Sequence, residues 1–412
     1  MKISILTLGC KVNKYESDAI MQELLLRGHD ANDKLEFADA YVINTCAVTN
    51  EAEKKSRQMI ERAKKFNPDA KFYIMGCASQ KNKKQFEDKN VTAVIGNANK
   101  MGIVDIIEGK TNIEFAISKD FEDMKMSKQN LSRAFIKIQD GCNNFCTYCI
   151  IPYLRGRSRS REISSILNEV EKMPENVKEI VLVGIDVADF KIGDEKALGT
   201  LLKRLDVYGK RLRLSSMEDN LVTEEFVKEL SQVKNFCPHF HLSLQSGCDN
   251  VLKKMNRHYT TADFERTVNL IRKYFPLAGI TTDIIVGFPT ETEEDFQKTV
   301  EFVEKIKFSQ LHLFPFSMRD GTAAAKLYKD LNGDIKADRL KRLDAVGKKT
   351  REEFLKANKS GKVLVEEKNG QFYEGYTENY IKCYFKEKCK VGDVVEVKII
   401  EPFKDGVLAK KC

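Results

Sequence analysis

The chain has 412 residues, of which 42% are hydrophobic and 32% charged, a balance typical of a soluble protein with more than one domain. No stretch approaches the roughly 18 uninterrupted apolar residues of a membrane span, and no secretory signal is visible, so we expect a cytoplasmic protein without a membrane partner. The net charge of +8 permits a polyanionic partner without requiring one. Structural disulfides are disfavoured in a reducing cytosol, so the 11 cysteines suggest metal binding or catalysis.

Residues 1–118 alternate strands with helices, which predicts an N-terminal domain with a parallel sheet covered by helices. The predicted strands are Ile3–Leu8, Ala40–Asn44, Lys71–Met75 and Thr92–Ile95, and the first predicted helix is Ser17–Arg27. Cys10, Cys46 and Cys77, here called the strand-end triad, each lie one to three residues beyond one of these strands. Carboxyl ends of parallel strands form one edge where ligands bind, so we expect the three thiols to converge. The alternative is three unrelated buried thiols, because cysteine is often a small core residue.

Residues 130–356 form a second region, in which strands and helices alternate again and predict a partial β/α barrel of six strands. The predicted strands are Ala134–Gln139, Glu179–Val183, Arg211–Ser215, His239–Leu244, Ile280–Val286 and Gln310–Phe314. Such barrels carry their chemistry at the carboxyl ends of the strands, where Gly184, Glu218, Gln245 and Gly287 fall.

Residues 357–412 hold short alternating strands, such as Lys362–Glu366 and Val394–Ile400, separated by turn residues. This pattern predicts a small antiparallel β-barrel. The predicted fold class is therefore α/β, with a parallel-sheet domain, a central partial barrel and a C-terminal β-barrel.

The loop after the first predicted barrel strand contains Cys142, Cys146 and Cys149 in the spacing C-x3-C-x2-C, here called the loop triad. A [4Fe–4S] cluster usually takes four cysteines, one per iron, so three leave one iron open. An open iron can chelate the amino and carboxylate groups of S-adenosylmethionine, so that an electron from the cluster breaks a C–S bond. The spacing thus predicts a radical enzyme. A structural zinc site is the alternative, but it would more naturally have four protein ligands.

Two further sets of residues, at the predicted barrel strand ends and in a basic run, could have either a functional or a purely structural role. Glu218 could bond the ribose or amino group of the bound cofactor, and Gly184 and Gly287 would let the backbone approach it, with Gln245 at a neighbouring strand end. The plain interpretation is loop polar groups and turn glycines. The second set alternates along one basic run and consists of Arg155, Arg157, Arg159 and Arg161. It predicts either a solvated strand or a surface for nucleic-acid phosphates.

Motifs along the whole chain resemble the methylthiotransferases. T-L-G-C-K-V-N-K-Y-E-S at Thr7–Ser17, N-T-C-A-V-T at Asn44–Thr49 and M-G-C at Met75–Cys77 resemble their N-terminal domain. G-C-N-N-F-C-T-Y-C-I-I-P-Y from Gly141, L-S-L-Q-S-G, M-N-R-H-Y-T and I-V-G-F-P-T-E-T resemble their radical-SAM domain, and the last segment is similar to the RNA-binding TRAM barrel. The resemblance implies one [4Fe–4S] cluster on the loop triad. It also implies an auxiliary [4Fe–4S] cluster on the strand-end triad, where sulfur is attached and methylated.

Within that family, K-V-N-K-Y-E-S resembles the branch that acts on N6-threonylcarbamoyladenosine (t6A) in tRNA. The resemblance implies transfer of a methylthio group to C2 of t6A at tRNA position 37 by a 5′-deoxyadenosyl radical. It implies as partners a tRNA anticodon stem-loop carrying t6A, a low-potential electron donor and a sulfur donor, with the TRAM barrel and the arginine run gripping the RNA. Other branches act on N6-isopentenyladenosine or a ribosomal-protein aspartate. A non-enzymatic iron–sulfur RNA-binding protein is the remaining alternative.

Overall fold

The computed structural model describes residues 1–110, 117–124, 126, 132–219 and 222–412. The chain forms two compact units: Met1–Lys128, Lys137–Glu169 and Ser317–Lys326 make the first, and Gln129–Ile136, Val170–Phe316 and Leu327–Cys412 make the second. The division into 1–118, 130–356 and 357–412 stays a prediction. Within the described ranges, no helix has the length and apolar character to cross a membrane.

A parallel sheet with strand order β2-β1-β3-β4-β5 organises the first unit. The elements are β1 Lys2–Thr7, α1 Lys11–Leu26, β2 Asp30–Asn32, β3 Ala40–Thr45, α2 Asn50–Lys64, β4 Lys71–Gly76, α3 Cys77–Lys81, β5 Val91–Val94 and α4 Ile103–Ile107. Every residue of β3 is buried, as expected for a central parallel strand covered on both faces. Thr7 lies opposite Asn44, and Thr45 opposite Gly76, so β1, β3 and β4 end at the same edge. The predicted parallel sheet is confirmed.

The first helix differs from the sequence prediction, because α1 begins at Lys11 rather than near Ser17. Gly9, at φ +105°, turns the chain after β1, and Cys10 is the extended residue that precedes the helix. Ser17 is buried inside α1, where its hydroxyl accepts a hydrogen bond from the Asn44 amide at 3.1 Å. The serine therefore serves a tertiary contact instead of capping the helix.

The central part of the chain supplies the second set of strands and helices. Its elements are β6 Arg133–Lys137, β7 Gln139–Asp140, α5 Ile151–Arg155, β8 Arg159–Ser160, α6 Ile163–Glu171, β9 Glu179–Val183, β10 Lys191–Ile192, β11 Glu195–Lys196, α7 Leu198–Asp206, β12 Arg211–Leu214, α8 Glu224–Ser231, β13 His239–His241, α9 Asp249–Lys254, α10 Thr261–Tyr274, β14 Gly279–Val286, α11 Glu293–Ile306, β15 Gln310–Pro315, α12 Ala323–Leu327 and α13 Gly333–Ala357. Two three-stranded sheets have the orders β12-β9-β6 and β13-β14-β15. Parallel bridges from Leu212 to Phe236 and from Met217 to Leu242 connect the neighbourhoods of β12 and β13. Six strands thus follow one another in the order expected of the predicted partial barrel.

The C-terminal segment forms a closed barrel with strand order β16-β17-β18-β20-β19. Its strands are β16 Ser360–Asn369, β17 Phe372–Tyr376, β18 Lys382–Phe385, β19 Val394–Phe403 and β20 Gly406–Lys411. Val395, Val397 and Ile399 alternate with exposed residues along β19 and fill the interior. The predicted small β-barrel is confirmed, although β18 and β20 pair in parallel, which the sequence pattern did not indicate.

In the second unit, the C-terminal barrel is fixed to the beginnings of the central strands. Arg213 donates hydrogen bonds to the backbone carbonyls of residues 377 and 378, at 3.2 and 2.9 Å. The same guanidinium pairs with the fully buried Glu179 at 2.8 Å. The ring of Tyr380 stacks on His239, with centroids 4.6 Å apart. Buried charge and aromatic stacking together hold this junction.

Candidate metal centres

The strand-end triad occupies one edge of the parallel sheet. Cys10 lies between β1 and α1, Cys46 directly follows β3, and Cys77 begins α3 directly after β4. Cys46 and Cys77 are buried, whereas Cys10 is exposed. Burial, with smaller contributions from the nearby thiols of Cys77 and Cys10, raises the pKa of Cys46 to about 11. The structure thus brings the three thiols together, and their role as ligands stays a prediction.

The surroundings of this triad fit a cluster. A Cβ on Gly9 would lie 3.0 Å from the Cys46 sulfur, so glycine keeps the space beside that thiol open. The Asn13 amide donates to the carbonyls of Leu8 and Thr45, at 2.8 and 3.1 Å, and joins the ends of two strands. Among the described residues, no three His, Cys, Asp or Glu side chains are arranged for a single metal ion. Cluster ligands bind different irons and need not meet at one point.

The loop triad lies between β7 and α5, within the first unit. The Cys142 amide donates to the Gly156 carbonyl at 3.1 Å, and the Cys149 amide to the Cys146 carbonyl at 2.9 Å. The Asn144 amide points at the Cys142 sulfur from 3.5 Å, a contact that favours a thiolate over a thiol. The loop is therefore shaped by its own backbone, and iron ligation by its three thiols stays a prediction.

Arg155 is the centre of a buried ion network, here called the Glu16 network, that the sequence did not reveal. Its Nη1 lies 3.0 Å from a Glu16 oxygen and 2.9 Å from an Asp140 oxygen. Lys137 pairs with the same carboxylates at 2.8 and 2.7 Å, and Lys100 also pairs with Glu16. Burial alone would raise the pKa of Glu16, but Arg155, Lys100 and Lys137 lower it. The carboxylate is therefore ionised. The only sequence signal was the Y-E-S motif, which contains Glu16.

The other arginines of the basic run have different surroundings. The Arg161 side chain is 1% exposed and pairs with Glu169. Arg159 donates to backbone carbonyls of the run, whereas Arg157 is exposed and lies 4.3 Å above the Phe145 ring. Because phosphate contact requires an accessible guanidinium, the burial of Arg161, like that of Arg155, weighs against such contact. Arg157 is the exposed member of the run, and contact of the run with RNA stays a prediction.

The predicted cofactor-contacting residues lie at successive strand ends of the second unit. Gly184 follows β9, Glu218 comes after β12, and Gly287 follows β14 at φ +70°. Gln245 comes after β13 and holds a φ of +69°, which is uncommon for a residue with a side chain. Glu218 pairs with Arg257 at 2.7 Å. The placement matches the expectation, and cofactor contact by these residues stays a prediction.

Two carboxyl groups near Glu218 were not singled out from the sequence. Asp186 accepts a hydrogen bond from the Ala188 amide at 3.1 Å. Burial, followed by the charges of Glu218 and Asp189, raises the pKa of Asp186 to about 7. Burial raises the pKa of Asp219 to about 6, against the opposing effect of Arg257. Both groups therefore titrate closer to neutral pH than an ordinary aspartate, and each can donate a hydrogen bond in its protonated form.

Comparison with known proteins places this site in a class. The family model "Radical SAM superfamily" matches residues 136–303, and the model "Uncharacterized protein family UPF0004" matches residues 2–96. A cobalamin-binding radical S-adenosylmethionine methyltransferase, TsrM from Kitasatospora setae, shares the fold with a TM-score of 0.55 and 15% identity, covering 76% of this chain and 75% of its own. The protein is a radical-SAM enzyme.

Full-length relatives narrow the class. The threonylcarbamoyladenosine tRNA methylthiotransferases MtaB of Bacillus subtilis and Aquifex aeolicus are each 37% identical to this chain, covering 97% of it and 94% and 100% of their own lengths. A tRNA-2-methylthio-N(6)-dimethylallyladenosine synthase of Thermodesulfovibrio yellowstonii is 33% identical over 96% of this chain and 95% of its own. The chain belongs to the radical-SAM methylthiotransferase family.

Proposed function

We propose that the protein transfers a methylthio group to C2 of t6A at position 37 of tRNA, by 5′-deoxyadenosyl radical chemistry. The observation that carries the proposal is the presence of two separate cysteine triads in one compact unit. The choice of t6A is supported by the two relatives at 37% identity that are named for this base. The relative named for dimethylallyladenosine, at 33% identity, keeps that base as the second candidate.

The two triads would each hold one [4Fe–4S] cluster. When bound, the clusters supply the electron that cleaves S-adenosylmethionine and the site from which sulfur is transferred. The chain's own task is to hold the thiols in place and to limit the access of water. The Asn144 amide directed at Cys142 favours the thiolate there, and burial of Cys46 and Cys77 limits water at the other triad.

Radical chemistry matches the bond that has to be broken. Carbon 2 of adenine carries an unactivated C–H bond, and no side-chain base has a pKa suited to removing that proton. The base lies in a single-stranded loop, so extruding it into a pocket costs less than in a duplex. Arg157 and the C-terminal barrel are the proposed contacts to the anticodon stem-loop. The reaction also needs a low-potential electron donor and a sulfur donor.

Mass spectrometry of tRNA nucleosides tests the proposal. The reconstituted enzyme is incubated anaerobically with S-adenosylmethionine, sulfide and a reductant, together with tRNA carrying either t6A or isopentenyladenosine. We expect a methylthio mass increment on t6A only. Formation of 5′-deoxyadenosine without that product would overturn the substrate, and absence of 5′-deoxyadenosine from fully loaded enzyme would overturn the radical chemistry. Cys389→Ala, which removes a thiol outside both triads, is the matched control.

A further inference from the structure

Arg155 lies between elements that carry the two triads. Its Nη2 donates to the Asn13 side-chain oxygen at 2.6 Å, and that oxygen lies 3.9 Å from the Cys10 sulfur. Asn13 in turn bonds the carbonyls at the ends of β1 and β3, beside Cys10 and Cys46. On its other side Arg155 pairs with Asp140, which directly precedes Gly141 of the cysteine loop. One guanidinium therefore contacts the supports of both sites.

The charges around Arg155 do not balance within the protein. The Glu16 network contains three basic side chains and two carboxylates, and Arg159 adds a fourth basic side chain at 3.2 Å from Asp140. Burial lowers the pKa of Lys100, but the other three basic side chains still outnumber the two carboxylates. Burying an excess of positive charge is costly unless an anion lies nearby. Among the described residues, the buried Nε of Arg155 has no hydrogen-bond partner. The network therefore calls for further negative charge at its edge.

The strand-end triad is where such negative charge would reside. Cys77 and Cys10 lie close enough to Arg155 to act on it electrostatically, and Cys46 is influenced by Arg155 in the same way. Three cysteinates outweigh the charge of an oxidised [4Fe–4S] core, so a cluster on this triad is a net anion. The reduction potential of such a cluster depends on its net charge and on nearby hydrogen bonds.

We propose that Arg155 is a positioning residue for the strand-end triad, which it serves in two ways. Its positive charge offsets the negative charge of the cysteinate-bound cluster. Its hydrogen bond to Asn13 fixes the strand ends next to Cys10 and Cys46. The inference rests on the proposed function, because it requires an auxiliary cluster on this triad. Reduction adds an electron to an anion, and Arg155 favours that step by supplying a nearby positive charge.

A potentiometric titration followed by EPR tests this role without relying on turnover. The parent carries Cys142→Ala, Cys146→Ala and Cys149→Ala, so that only the strand-end triad can hold a cluster. Arg155→Gln is expected to move the reduction potential to a more negative value and to change the EPR signal. Arg155→Lys keeps the charge and is expected to stay close to the parent potential. Arg161→Gln is the control, because it removes an equally buried arginine of the same run that pairs with Glu169 instead.

A second variant guards against misfolding of Arg155→Gln, which leaves carboxylates buried without their partner. Arg155→Met combined with Asp140→Asn removes the arginine together with one of its acids. The loss of the Asp140 charge partly offsets the loss of the arginine charge, so a smaller negative shift and a changed EPR signal are expected. An unchanged potential and EPR signal in a folded, cluster-loaded Arg155→Gln or double variant would overturn the inference. So would an equal shift in Arg161→Gln. Failure of the parent itself to bind a cluster would instead overturn the proposed function at this triad, and the inference with it.

Discussion

The two cysteine triads lie in the same compact unit but are built in opposite ways. The loop triad falls within nine residues of one loop, from Gly141 to Cys149, whose backbone hydrogen bonds set its shape. The strand-end triad takes one thiol from the end of each of three strands. Its first and last members, Cys10 and Cys77, are 67 positions apart in the sequence. A local loop can keep its shape while distant parts of the fold loosen. A site shared among strands exists only while the sheet is intact.

The two sites therefore depend on folding to different degrees. Metal affinity at a site assembled by the fold is linked to the free energy of folding. The strand-end triad depends on the sheet, whereas the loop triad depends mainly on its own turn. Perturbations of the sheet should therefore affect the strand-end triad first.

Single cysteine substitutions should reduce activity most strongly, and they test whether the two sites act separately. Cys142→Ala should abolish 5′-deoxyadenosine formation, and Cys46→Ala should preserve it while abolishing methylthio transfer. Each loss should exceed the roughly 10–100-fold cost of removing an outer-shell partner of a metal, because a ligand itself is lost. Iron content, 5′-deoxyadenosine and modified nucleosides are measured together. Loss of both products in Cys46→Ala would show that the sites are not separable.

Two glycine substitutions compare the sites at their turns. A Cβ on Gly141, at φ +74°, would lie 2.0 Å from the Arg157 carbonyl, whereas a Cβ on Gly9 would lie 3.0 Å from the Cys46 sulfur. Gly141→Ala should lower stability by about 2–4 kcal/mol and iron at the loop triad, because it combines a clash with strain. Gly9→Ala should lower iron at the other triad with a smaller loss of stability. Gly28→Ala is the control, since Gly28 has φ +84° but no neighbour within 4 Å.

In the second unit, carboxyl groups from different strand ends also come together, and they make the stability of the protein depend on pH. The pKa of Asp186 is raised from 3.8 to about 7, mainly by burial. A raised pKa favours the protonated folded state, so stability falls as the pH rises from about 4 to 7 and stays lower above that range. Asp186→Asn should raise the unfolding free energy at pH 8 by about 2 kcal/mol, with little change at pH 4. Equal effects in thermal melts at both pH values would contradict the assignment.

Charge reversal at Arg157 should act more weakly than the variants above, and it tests whether the basic run that follows the loop triad contacts RNA. Arg157→Glu should weaken tRNA binding about 3–10-fold and reduce the salt dependence by roughly one phosphate contact. Arg62→Glu, an equal change of charge at an exposed position on α2, is the control. Unchanged affinity of Arg157→Glu in a filter-binding assay would remove this side chain from the interface.

The sequence was most informative where local patterns determine structure. Apolar runs bounded by turn residues predicted the main strands of the sheet, and the rule for parallel strand ends predicted that Cys10, Cys46 and Cys77 converge. The short edge strand β2 was missed, because its three residues, Asp30–Asn32, lack a strand pattern.

The ion pairs were not predictable in the same way. Four alternating arginines without nearby acids suggested solvent exposure, yet the Glu16 partner of Arg155 lies 139 positions away in the chain. Only the tertiary fold brings such charges together. Whether Arg157 and Arg159 meet RNA, and whether the six cysteines bind iron, stay predictions.

The junction at the beginnings of the central strands affects how the role of the C-terminal barrel can be studied. Deleting residues 357–412 would remove the carbonyls that accept from Arg213 and the ring that covers His239. The buried Glu179 and its arginine would then meet water. An inactive truncated enzyme would consequently report a damaged scaffold as readily as a lost grip on tRNA. Point substitutions on the outer surface of this barrel are the cleaner way to separate recognition from architecture.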